Sequence, residues 1–65
     1  MHENEPLLTP DETGTYIRKP TKTLAEWRSR RVGPKYLKLG NVVRYRRSDV
    51  DIWLDAQTVD PSSSA

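Results

Sequence analysis

The sequence predicts an α+β domain built from three short helices and a two-stranded β-hairpin, and three observations predict it. A capping signature at Thr9 opens a helix, Lys19-Pro20 and Gly33-Pro34 interrupt the chain at turn-sized intervals, and two alternating apolar runs flank Gly40-Asn41. With 65 residues there is room for one small domain. Leu, Ile and Val supply thirteen residues and Phe none, so only a minimal core is available, with Trp27 and Trp53 as its largest contributors. The absence of cysteine excludes disulfide staples and cysteine-based zinc sites.

Residues 1–6 are polar and aperiodic and are expected to form a flexible lead-in, followed by a domain over residues 7–57. Thr9-Pro10-Asp11-Glu12 combines a hydroxyl cap, a proline at the first helical position, acids in the first turn and the glutamate of a capping box. A first helix is therefore expected over Pro10 to Ile17. Its inward face would be Thr13, Tyr16 and Ile17, with Gly14 letting a second helix come close. Lys19-Pro20 ends that helix and permits a second over Thr21 to Arg30, anchored by Leu24 and Trp27 alone. Most of its circumference is left free.

After Gly33-Pro34, the runs Tyr36 to Leu39 and Val42 to Arg46 read as a hairpin closed by Gly40-Asn41. Alternation assigns Leu37, Leu39, Val43 and Tyr45 to the core face, and Tyr36, Lys38, Val42, Arg44 and Arg46 to a cationic outer face. Ser48 is expected to cap a last helix reaching Ala56, with Val50, Trp53 and Leu54 inward and Asp49, Asp51 and Asp55 facing water. Residues 58–65, ending in Pro-Ser-Ser-Ser-Ala, read as a disordered tail.

The net charge of +2 conceals segregation. All eleven Lys and Arg residues fall between Arg18 and Arg47 beside a single acid, Glu26, whereas four acids lie on each flank. Such an excess attracts a polyanion. Helix, short turn, helix, cationic hairpin, helix is the layout of a small winged helix-turn-helix with a C-terminal helix, in which the second helix enters the DNA major groove and the hairpin wing reaches the adjacent backbone or minor groove. A ten-residue helix spans about 15 Å and fits a groove about 12 Å wide.

The motifs that follow one another here are Leu7-Leu8-Thr9-Pro10-Asp11-Glu12, Thr23-Leu24-x-x-Trp27, Gly33-Pro34-x-Tyr36-Leu37-Lys38-Leu39-Gly40 and Val43-Arg44-Tyr45-Arg46-Arg47-Ser48-Asp49-Val50-x-x-Trp53-Leu54. In this order, over residues 7–55, the chain resembles the excisionase family of small MerR-like DNA-binding domains. It departs from the family in carrying Arg18-Lys19-Pro20 where a Gly-hydrophobic-Ser turn is usual. The resemblance implies that Thr21, Lys22 and Glu26 face the groove and that Lys38, Asn41 and Arg44 belong to the wing. It also implies a recombination directionality factor of phage origin.

On their own chemistry, Lys22, Arg28, Arg30 and Arg31 are candidate phosphate or base ligands, and Arg46 joins the wing set. Thr21 and Thr23 either cap the helix or touch phosphate. Glu26 either accepts from a cytosine amino group or braces a neighbouring arginine, and the brace is the favoured reading. Trp27, Trp53 and Tyr45 are read as core, and Tyr36 either packs against the end of the second helix, the favoured reading, or contacts a phosphate. His2, the only histidine, lies in the lead-in with no second ligand type beside it, so neither a metal nor a catalytic role is expected. No embedded carboxylate pair and no glycine-rich phosphate loop appears; an enzyme is not expected, nor a cofactor.

The expected function is that of an excisionase-like protein, which binds sites beside a recombination core, bends the DNA and directs an integrase towards excision. Its expected partners are double-stranded DNA, the integrase, and neighbouring copies of the chain arranged head to tail. One alternative is a small phage or plasmid transcription regulator of the same fold. A ligand sensor is not expected, since MerR-like sensors dimerise through a long helix after the DNA-binding domain and only Gln57 to Ala65 follow here. A second alternative is an interaction module for an integrase or polymerase. No run has the roughly 18 apolar residues of a membrane span and no signal peptide is evident, so a cytoplasmic location in a bacterial host is expected.

Overall fold

The computed structural model describes residues 6–61, so His2, most of the predicted lead-in and the last four residues of the predicted tail lie outside the described residues. The elements are β1 (Leu7–Leu8), α1 (Pro10–Ile17), α2 (Thr21–Arg30), β2 (Leu37–Leu39), β3 (Val42–Arg46) and α3 (Arg47–Ala56). This is a small α+β winged helix-turn-helix.

Local chemistry explains the start of α1. The Thr9 hydroxyl accepts from the Glu12 amide at 3.0 Å while the Glu12 carboxylate accepts from the Thr9 amide at 2.8 Å, so two orphan donors are satisfied reciprocally. One turn later the Thr13 hydroxyl donates to the Thr9 carbonyl at 2.9 Å, which lets that side chain be fully buried. α1 stops at Arg18, whose backbone is left-handed (φ 61°) and whose N–H, like that of Lys19, returns to the Gly14 carbonyl. Only three residues, Arg18 to Pro20, then separate α1 from α2.

Gly14 is needed for that turn, though not for the reason the sequence suggests. A Cβ there would lie 2.6 Å from the Lys19 carbonyl oxygen, so the close approach is to the turn's backbone rather than to the body of α2. Gly14→Ala is expected to destabilise the domain by about 1–3 kcal/mol, because the obstacle is backbone, even though alanine's helix preference of about 1 kcal/mol works the other way. A urea titration checks this: the midpoint should fall with an unchanged slope, and an unchanged midpoint would contradict the close approach.

Helix α2 ends at Arg31, again left-handed at φ 61°, and Gly33 follows at φ 89°. At Gly33 the ring of Trp27 occupies the space of any side chain, 2.8 Å from where a Cβ would stand. β2 and β3 pair antiparallel with Leu39 opposite Val42, which leaves Gly40-Asn41 as a two-residue turn with Gly40 at φ 64°. The hairpin is not alone. Leu7 and Leu8 pair with Arg46 and Tyr45 on the other edge of β3, so the sheet has three strands in the order β1-β3-β2 rather than the two expected.

Leu24, Val50 and Tyr45 are essentially buried and, with Thr13, form the centre where α2, α3, β3 and α1 meet. Trp27 and Trp53 are only half-buried; they pack on each other with ring centroids 5.1 Å apart. Several expected placements are corrected. Leu39 is 51% exposed, because the end of the hairpin extends past anything the helices cover. Tyr16 is 40% exposed, its hydroxyl donating to the Asp51 carboxylate instead of its ring entering the core. α3 begins at Arg47 with Arg46 as its cap residue and no side-chain cap, since β3 runs straight into the helix and leaves no linker for Ser48 to cap. Asp49 and Asp51, expected to face water, are engaged with Arg46 and Tyr16; Asp55 is exposed as expected.

Candidate nucleic-acid interface

Helix α2 turns Leu24 into the core and packs Trp27 beside it, which determines the face that remains free. At about 100° per residue, Lys22, Glu26 and Ser29 lie opposite Leu24 and Ala25 lies on the flank, and all four are exposed. Ala25 and Ser29 were not singled out from the sequence. Being small, they allow the helix axis to approach a surface closely, while Lys22 and Glu26 carry the chemistry.

The remaining sequence candidates fall into different environments. Thr21 is exposed and donates through its hydroxyl to Asp11 at 2.7 Å, tying the start of α2 back to α1. Thr23 is half-buried. Arg30 is exposed at the end of α2, and Arg31 is exposed as its C-terminal cap. Arg28 is half-buried and turned inward: its guanidinium donates to the Tyr45 hydroxyl at 2.8 Å and lies 5.8 Å from the centre of the Tyr36 ring. Glu26 makes no hydrogen bond or ion pair among the described residues, so the favoured brace to an arginine is not formed.

On the wing, Lys38 and Asn41 are exposed, in mid-β2 and in the turn respectively. Arg44 is half-buried, donating to its neighbour's carbonyl, that of Val43, at 2.7 Å. Arg46 pairs with Asp49 at 3.4 Å. Arg46 thus spends its charge partly inside the protein, which period-2 alternation alone does not reveal.

A groove at the C-terminal end of α2 brings Arg31, Lys35 and Arg46 together with Asp49 around Gly33-Pro34. Lys35 was missed by sequence reasoning; the only signal for it is its place directly after a Gly-Pro break, where the chain must cross the surface. On the far side, Arg47 lies 5.0 Å above the Tyr16 ring, and contact with Tyr16 first, then Asp51, raises its pKa further, so it remains cationic. Among the described residues no His, Cys, Asp or Glu cluster of metal-binding geometry occurs, and no helix is long and apolar enough to cross a membrane.

Two helices joined by a three-residue turn and followed by a β-hairpin constitute a helix-turn-helix with a wing. A family profile described as Helix-turn-helix domain matches residues 7–58. The chain belongs to that family. A search of curated proteins gave no match. The helix-turn-helix family is a DNA-binding family that includes excisionase-like proteins, and membership implies DNA binding.

Proposed function

We propose that this helix-turn-helix domain is an excisionase-like accessory protein, which binds specific sites beside a recombination core, bends the DNA and directs an integrase towards excision. The observation that carries the DNA-facing part is the exposed stripe of Lys22, Glu26 and Ser29 opposite buried Leu24, with Lys38 and Asn41 exposed on the wing. The excision part is supported by the ordered motifs over residues 7–55, above all the run from Val43 to Leu54.

The roles divide by position. Lys22 and Glu26 touch base edges, with the Glu26 carboxylate, which has no partner among the described residues, accepting from a cytosine amino group, as acids do in the major groove. Thr21, Thr23, Arg30 and Arg31 position the helix against phosphates, and Lys38, Asn41, Arg44 and Arg46 do so from the wing. Bending 20–30 base pairs costs on the order of 1–6 kcal/mol, more than one module of this size readily offsets. Neighbouring copies bound head to tail on repeated sites share that cost.

The testing experiment is excision in vitro by the cognate integrase, with and without the protein, on DNA carrying both attachment sites. Recombined product accumulating only when the protein is added is the expected result. Site-specific binding without any stimulation would replace this reading with that of a transcription regulator.

A further inference from the structure

We infer that Arg28 is a positioning residue that sets the angle between the recognition helix and the wing, and not a DNA ligand. The inference rests on the proposed DNA-facing roles of α2 and the hairpin. On the α2 wheel Arg28 falls about 40° from Leu24, on the core side, whereas Lys22 falls about 160° away. Its guanidinium donates at 2.8 Å to the hydroxyl of Tyr45, a residue only 1% exposed. The same group lies 5.8 Å from the centre of the Tyr36 ring, and that ring is itself tilted against Tyr45 with centroids 6.1 Å apart.

A buried tyrosine hydroxyl needs a partner, and Arg28 is the partner it has here. A planar guanidinium donates from its edge while an aromatic ring sits at its face; an ammonium group is a point charge that does not hold both contacts in one geometry. Tyr45 is the pivot of the sheet, paired with Leu8 on one side, and the preceding residue, Arg44, pairs with Leu37 on the other. The contact therefore joins the recognition helix to the central strand from which the wing extends.

A positioning residue and a phosphate ligand give opposite results in a conservative series. If Arg28 sets the angle, Arg28→Lys and Arg28→Gln both weaken DNA binding by roughly tenfold, within the range of coupled contacts, and leave the salt slope unchanged. Tyr45→Phe, which removes only the hydroxyl, weakens binding in the same way, and combining it with Arg28→Gln adds little more. If Arg28 is instead a phosphate ligand, Arg28→Lys binds nearly as the wild type and Arg28→Gln lowers the salt slope by about 0.9. That pattern overturns the inference. Residual dipolar couplings of the free domain give a DNA-independent reading: Arg28→Gln should reorient the hairpin relative to α2, and an unchanged orientation overturns the inference even if the wild type failed to bind DNA. Failure of the wild type to bind would count against the proposed function alone.

Discussion

Leu24→Ala is expected to leave the domain largely unfolded at 37 °C. Leu24 is completely buried, so truncation removes the apolar contact on which α2 is mounted and leaves a cavity, at a cost of about 2–5 kcal/mol. A domain this small has a stability near the bottom of the usual range of about 5–15 kcal/mol, so one such loss consumes most of it. Among the described residues Val50 is the only other fully buried aliphatic side chain, so little aliphatic packing is left to take up the strain. Ile52→Ala is the internal control: Ile52 is 66% exposed, and its truncation should change stability by no more than about 0.5 kcal/mol. Thermal unfolding followed by circular dichroism checks both. Equal melting temperatures for the two variants would mean that the core is not where α2, α3 and the sheet converge.

Affinity for DNA is expected to collapse as salt is raised. Exposed cations on α2, in the loop and on the wing (Lys22, Arg30, Arg31, Lys35 and Lys38) make no side-chain hydrogen bond or ion pair among the described residues, whereas Arg28, Arg44 and Arg46 are engaged. Five to eight neutralised phosphates correspond to a loss of roughly 500- to 20,000-fold between 50 and 200 mM salt. A mobility-shift titration at several salt concentrations measures this. A flat response would remove the nucleic-acid reading, because no other term in a surface this polar supplies affinity of comparable size.

Much of the fold was legible because the chain is punctuated by residues with strong local preferences. Thr9-Pro10 and Pro20 fix the starts of α1 and α2 by hydrogen bonding and by restricted φ, which act within a turn and need no tertiary information. Gly40-Asn41 fixes the hairpin in the same way. Effects that depend on distant partners were not legible. β1 is two residues long, too short for any periodicity, and exists because β3 offers it an edge. Tyr16 has the right spacing for the core, but its hydroxyl finds Asp51, 35 residues away. Alternation names the inner face of the hairpin without saying how far the helices reach along it, and Leu39 lies beyond them.

The candidate interface divides along the same line. Helical periodicity located the free stripe of α2 from Leu24 and Trp27 alone, so Lys22 and Glu26 were readable. Charge by itself does not reveal that Arg28 and Arg46 have protein partners, Tyr45 and Asp49, which come from the strand and helix packed behind them. Seen from sequence, a cation aimed inward and one aimed outward are the same letter.

The central claim is that the stripe of α2 opposite Leu24 reads bases while the wing holds the backbone. It is tested most directly by selecting preferred sites from a random DNA pool for the wild type, Lys22→Ala, Glu26→Gln and Lys38→Ala. Lys22→Ala and Glu26→Gln should each relax preference at one base position, by about 1–3 kcal/mol of discrimination, while Lys38→Ala keeps the wild-type site and binds every sequence more weakly. A shifted site for Lys38→Ala together with unchanged sites for Lys22→Ala and Glu26→Gln would contradict the account.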